Sequence, residues 1–260
     1  MPMLKENNGR DKSIEEQMQL RRVYRRLAFE LPLQRIDEKL QVQNCAERLR
    51  LAGNFDIQPV PLQSGATAKK SKSQADYESK HALYTFQKSK YMATLQDETN
   101  NGKDFVTTRY HIDAIALQYA YERLGCPLPQ GRSQAEELIW EINDNLDGMI
   151  CFEEFERSYG RSRSDRTGLE PSEIFFLTCF LMFDKESSGK IALDDALKIF
   201  YLKYGDAMED EMEIHFGKQL DEGAHSITFS EYRDAILKRT AHLVELHAAS
   251  VKTTKFPKKV

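Results

Sequence analysis

The chain has 260 residues, 40% apolar and 30% charged, with a formal net charge of −4. That length holds one large domain or two small ones, and that apolar share is enough to bury a core. Cys45, Cys126, Cys151 and Cys179 show no CxxC spacing, which excludes a disulfide framework and reads as reduced thiols in a cytoplasmic protein. The opening MPMLKENNGR lacks the apolar stretch of a secretory signal. The longest apolar run, Ile174 to Phe183, is too short to span a bilayer, so no transmembrane segment is expected. Charge is unevenly placed. Residues 1–95 carry 17 basic against 11 acidic side chains, and residues 96–260 carry 20 against 30. A basic arm ahead of an acidic body implies that the arm meets something acidic, the body itself included.

In chain order, a helix is predicted from Ser13 to Leu31. Met18, Leu20, Val23, Tyr24, Leu27 and Leu31 recur at helical spacing, with Arg21, Arg22, Arg25 and Arg26 between them. Pro32 is expected to end or kink it. A second helix follows from about Leu33 to Leu51, closed by Gly53. Residues 54–75, rich in Pro, Ser, Lys and Gly, read as a linker. A third helix is predicted over roughly 76–95. Further helical patterns cover about 113–124, 133–142, 152–159, 172–183, 193–203, 207–218 and 229–249, joined by turns with Gly or Pro. The expected domains are a basic helical arm (1–53), a linker and helix (54–95), a first lobe (96–160), a second lobe (161–250) and a basic tail (251–260).

Two twelve-residue stretches carry chemistry. In NDNLDGMICFEE (143–154), Asn143, Asn145 and Asp147 stand at positions 1, 3 and 5, Gly148 at 6, the Met149 carbonyl at 7, Ile150 at 8 and Glu154 at 12. In DKESSGKIALDD (184–195), Asp184, Glu186 and Ser188 stand at 1, 3 and 5, Gly189 at 6, the Lys190 carbonyl at 7, Ile191 at 8 and Asp195 at 12. Alternate oxygen donors, a glycine for the sharp turn and a final carboxylate make up an EF-hand loop for a hard divalent cation. The first loop has two carboxylates, which implies weak Ca²⁺ binding. The shorter Asp195 in the second is expected to reach the ion with one oxygen where Glu reaches with two, a six-coordinate geometry that suits Mg²⁺ better than Ca²⁺ and implies Mg²⁺ or weak Ca²⁺ binding.

Such hands come in pairs. Two silent partners are placed at 105–116 and 220–231, with Ile112 and Ile227 at position 8 and no complete ligand set. The four loop starts are separated by 38, 41 and 36 residues. An alternative loop starting at Asp97 is rejected, because it sets Asp104 at the apolar position.

The stretch ERLGCPLPQGRSQAEELIWEINDNLDGMICFEEF resembles calmodulin throughout, and the likeness covers about residues 105–240. It implies an all-α fold of four helix–loop–helix units in two lobes, two of them degenerate, after the helical, basic arm. The stretch DRTGLEPSEIFFLTCFLMFDKESSGKI is similar to EF-hand proteins of the ciliary and flagellar axoneme. That second likeness implies a cytoskeletal location and partners such as tubulin or axonemal proteins.

Other features have two readings each. Ile174–Phe183 is either a packed helix or a docking surface. The arginine-rich helix is a solvated face, a segment folded back on the acidic body, or a basic segment for an acidic surface. No nucleic-acid module, nucleophile elbow, Walker loop or zinc spacing is present, so neither nucleic acid nor an enzyme activity is expected. The expected function is a calcium-binding structural or interaction protein of the axoneme. The alternative is a soluble calmodulin-like Ca²⁺ sensor that opens an apolar groove.

Overall fold

The computed structural model describes residues 5–53, 72–165, 170–205 and 225–238, together with Asp210, Glu213, Phe216 and Gly217. The fold is all-α. Its helices are α1 (Lys5–Arg25), α2 (Leu31–Gly53), α3 (Lys72–Asn101), α4 (Val106–Arg109), α5 (Ala114–Arg123), α6 (Arg132–Trp140), α7 (Phe152–Ser164), α8 (Glu173–Phe183) and α9 (Leu193–Tyr204), with a further helical stretch over 229–238. The expected linker core at 54–71 and the tail after 238 lie outside the described residues, as does most of the helix expected at 207–218.

Pro32 does not end the first helix. Residues Arg26–Glu30 form a π-turn in which the Leu31 N–H donates to the Arg26 carbonyl, and α2 then starts at once. Proline lacks an N–H, and the wider turn together with a place in the first turn of α2 lets the chain pass it without a break. The third helix also runs past its expected end, through Asp97 to Asn101, and stops at Gly102 (φ 62°), whose N–H donates to the Glu98 carbonyl at 2.8 Å. A left-handed glycine after the last turn is a common helix stop. Asp97 is therefore helical, and no loop starts there.

Short β contacts tie the loops together two by two. Ile112 and Ile150 form an antiparallel bridge, with N–H···O distances of 3.1 and 3.0 Å. Strands β1 (Lys190–Ala192) and β2 (Ser226–Thr228) pair antiparallel, with Ile191 opposite Ile227. All four isoleucines are buried, so each pairing is also an apolar contact at the centre of its pair of loops. The bridge at Ile112 and the strand at Ile227 fall at the two positions that carry no complete ligand set.

Helix α8 is buried at every residue from Ile174 to Met182, which settles it as a packed helix. It lies between α7, α9 and α1. One apolar cluster runs from Leu20, Val23, Tyr24 and Leu27 of α1 and the π-turn, through α5, α6, α7 and α8, to Phe229 and Tyr232. The arm is thus part of the core rather than an appendage. α3 joins the same body near its end. Phe29, Tyr91 and Tyr110 form a ring cluster with centroids 4.8–4.9 Å apart, and the Tyr110 and Thr94 hydroxyls lie 3.1 Å apart.

Glu98 is the polar counterpart of that junction. Its carboxylate pairs with Arg25 at 2.8 Å and accepts the Phe105 and Val106 N–H groups at 3.0 Å. Burial pushes its pKa up, but the Arg25 and backbone hydrogen bonds outweigh this and hold it below the usual carboxylate value. A carboxyl depressed in the folded state stabilises the protein above its unfolded pKa of about 4.3, and that contribution is lost as pH falls through the folded value. The melting temperature of the wild-type chain should therefore fall more steeply below about pH 4.3 than that of Glu98→Gln. Parallel slopes in the two proteins would refute this role for Glu98.

Candidate metal centre

The two loops share a backbone shape. Residues at position 4, Leu146 (φ 61°) and Ser187 (φ 58°), and glycines at position 6, Gly148 (φ 78°) and Gly189 (φ 72°), are left-handed in both. Glycine takes that conformation freely, whereas Leu146 and Ser187 hold it at a cost of about 1–3 kcal/mol each. The chain therefore curls each loop tightly twice, which is what brings alternate side chains inward.

In loop 143–154 the inward groups meet. Asn143 is 3% exposed. Its Oδ1 accepts the Gly148 N–H at 3.0 Å. Its Nδ2 faces Met149 O at 2.7 Å, Asn145 Oδ1 at 2.8 Å, Asp147 Oδ1 at 3.2 Å and Glu154 Oε1 at 3.4 Å. Glu154 shuts the loop from the far end. Its Oε1 accepts the Asp144 and Asn145 N–H groups (3.0 and 3.2 Å), and its Oε2 accepts the Cys151 N–H at 3.0 Å. The Met149 N–H donates to Asp147 at 2.8 Å, and this bond holds the Asp147 carboxyl below the usual range. Convergence of oxygens from positions 3, 5, 7 and 12 on one point is a donor set that fits a hard divalent cation.

Loop 184–195 gathers less. Asp184, 2% exposed, accepts Ser188 N–H (2.7 Å), Ser188 Oγ–H (3.0 Å) and Gly189 N–H (3.1 Å). The Lys190 carbonyl accepts from Ser188 Oγ at 3.0 Å. Glu186 is exposed, and Asp195 turns to Lys198, with Asp195 Oδ1 2.5 Å from Nζ, instead of closing the loop. The carboxylate at position 12 is one methylene short, and an i,i+3 lysine lies within its reach. Among the described residues, no three Asp, Glu, His or Cys side chains gather as a metal-binding group.

The arm touches both loops, a feature the sequence reading left among three options. The Tyr24 hydroxyl lies 2.8 Å from the Tyr110 carbonyl and 3.1 Å from the Ile150 carbonyl, beside the bridge of the first loop pair. Arg22 donates to the Leu181 and Met182 carbonyls (3.3 and 2.7 Å), and Arg26 to the Asp184 carbonyl (2.8 Å). These are carbonyls at the end of α8, where a cation is favoured. Arg26 Nη2 also sits 3.8 Å from Asp184 Oδ2, at position 1 of the second loop. The arm folds back on the acidic body. Arg25 is paired with Glu98, and Arg21 lies over the Phe152 ring at 4.6 Å. The four-residue spacing of Arg22 and Arg26, which puts both on one helix face, was the available signal. Trp140 was also overlooked. Its Cζ2 lies 3.9 Å from where a Cβ on Gly148 would stand.

The chain is 35% identical over 114 residues to myosin regulatory light chain 1 of Caenorhabditis elegans, a match that takes in 43% of this chain and 61% of the relative. The likeness supports the calmodulin superfamily of EF-hand proteins. The chain spans about six tenths of the length of that relative. No family model matches the chain. The loops are joined in pairs through the position-8 isoleucines, and the helices on either side supply the core. Among the described residues, no helix is long and apolar enough to cross a membrane.

Proposed function

We propose that this chain is a calcium-binding EF-hand protein with a structural or interaction role on the axoneme of a cilium or flagellum. The docking of α1 carries the structural half of this reading. A sensor exposes its apolar groove when the ion arrives and takes a helix from a partner. In this chain a helix of its own already lies across both ion loops, with Tyr24 at the Ile112–Ile150 bridge and Arg26 at Asp184. The name of the light-chain relative places that protein with myosin, and it supports protein partners and a non-catalytic role for this one.

The proposed ligands are Asn143, Asn145, Asp147, the Met149 carbonyl and Glu154 in the first loop. In the second they are Asp184, Glu186, Ser188, the Lys190 carbonyl and Asp195, for Ca²⁺ or Mg²⁺. We read four helix–loop–helix units in two lobes, a division that the two isoleucine pairings support.

The axonemal half rests on the likeness of residues 165–191 to axonemal EF-hand proteins. With Arg22, Arg25 and Arg26 engaged on the body, the basic tail supplies the charge for an acidic filament, through Lys252, Lys255, Lys258 and Lys259. The test is co-sedimentation of the full chain with microtubules, in EDTA and in Ca²⁺, beside a chain ending at Ser250. Binding that ignores Ca²⁺ and weakens without the tail is expected. Binding switched on by Ca²⁺ would favour the sensor reading, and no binding would remove the filament from the proposal.

A further inference from the structure

We infer that the Asn143 side-chain amide stands in for the cation of loop 143–154, holding the loop shut without an ion and obstructing one that arrives. The inference rests on reading that stretch as an ion loop.

The geometry fixes which way the amide faces. The Gly148 N–H donates to Asn143 Oδ1 at 3.0 Å, so Nδ2 must point into the loop. There the two amide hydrogens are shared by four oxygens, from Asn145, Asp147, Met149 and Glu154, all within 3.4 Å. Two of these oxygens belong to carboxylates. Brought together around an empty point they would repel one another, and a donor at the centre removes that cost. A carboxylate at position 1 has no hydrogen to offer and could not do this.

The second loop is the internal comparison. It has an aspartate, Asp184, at position 1, buried like Asn143 and bonded to the same backbone position, the Gly189 N–H. There the donor is the Ser188 hydroxyl, shared between Asp184 and the Lys190 carbonyl, and the last carboxylate, Asp195, is turned out to Lys198. The loop with the amide is the one whose last carboxylate closes, through three backbone N–H groups onto Glu154. For a cation to enter loop 143–154, the amide must turn over so that Oδ1 faces inward. That sets Nδ2 against the Gly148 N–H, donor against donor, a loss comparable with one buried hydrogen bond and about a tenfold loss of affinity. The first lobe is thereby held in one form whether or not Ca²⁺ is present.

Asn143→Asp in the full chain tests this with two readouts. Thermal unfolding in EDTA reads the clasp. Terbium luminescence excited through Trp140, the single tryptophan, reads ion entry at the neighbouring Gly148. Asn143→Asp should melt below the wild type in EDTA and recover on adding Ca²⁺. Its terbium signal should half-saturate at a concentration at least about tenfold lower than that of the wild type. Equal melting in EDTA would overturn the inference, as would a wild-type chain that takes terbium as tightly as the variant. A variant that loses stability in EDTA but never gives a terbium signal would instead overturn the ion reading of this loop, leaving the amide as a structural clasp.

Discussion

Tyr24→Ala should lower the stability of the whole chain by about 3–5 kcal/mol, the cost of deleting a large buried aromatic side chain. Tyr24 is fully buried. Its ring meets Phe152 edge-on at 5.2 Å and Phe155 at 5.5 Å, both at the start of the helix leaving loop 143–154. Burial pushes its phenol pKa up, with Cys151, Glu153 and Glu154 adding to the effect, so the hydroxyl stays a neutral donor. The donor serves the carbonyls of Tyr110 and Ile150, on the two sides of the bridge. Tyr24→Phe keeps the packing and removes only this hydrogen bond. It should cost about 1–3 kcal/mol, since the Tyr110 carbonyl loses its partner. Urea unfolding followed by far-ultraviolet circular dichroism measures both. A Tyr24→Ala chain within about 1 kcal/mol of wild type would mean that the arm is not part of the cooperative core.

The second large effect is expected at Arg26, and it has two signs. Arg26 is 14% exposed at the side chain and Asp184 1%, so Arg26→Met leaves a buried carboxylate without its cation. Removing one member of a buried pair costs up to about 3–5 kcal/mol. Here Asp184 keeps its bonds to Ser188 and Gly189, so a value near the lower end is expected. The same change removes a positive charge from position 1 of loop 184–195, where a divalent cation would otherwise compete with it. Arg26→Met should therefore be less stable than wild type in EDTA yet gain more from Ca²⁺ or Mg²⁺. An ion at one hundred times its dissociation constant returns about 2.7 kcal/mol. Arg26→Lys keeps the charge and loses the fork that reaches the Asp184 carbonyl, and it should fall between the two. Melting curves of the three proteins in EDTA, Mg²⁺ and Ca²⁺ decide the matter. If Arg26→Met gains no more from either ion than wild type does, the guanidinium does not oppose the cation.

Together these contacts describe an arm that reads both loops at once. Tyr24 sits on the first pair through a hydroxyl, and Arg26 on the second through charge. Glu16, eight residues before Tyr24, accepts from Tyr159 at 2.9 Å and pairs with Arg163 on α7. Polar contacts of this kind fix the register of α1 on the body, while Leu20, Val23 and Leu27 supply the apolar contact.

The sequence by itself determined most of α5 to α9 and the frames of the loops, because both are local, but not the passage through Pro32 or the end of α3. Helical spacing of apolar residues gave α5 to α9 to within a few residues, and a Gly at position 6 followed by Ile at position 8 gave the loop frames. It even placed Ile112 and Ile227 where no ligand pattern guides the eye, since the apolar residue that pairs across loops is needed whether or not an ion is bound. Tertiary structure alone decided what the charges do. Periodicity showed that Arg22 and Arg26 share a face, but a basic face serves solvent, a partner or the chain's own body equally well until the position of α8 is known. The same holds for Asp195, where the choice between the loop and Lys198 turns on one methylene and an i,i+3 neighbour. It holds for Asn143, whose amide has one face for Gly148 and one for the four oxygens only once the loop has closed around it. Local pattern fixes which groups are available, and the fold fixes their partners, because a hydrogen bond or an ion pair depends on distances between segments that sequence spacing does not contain.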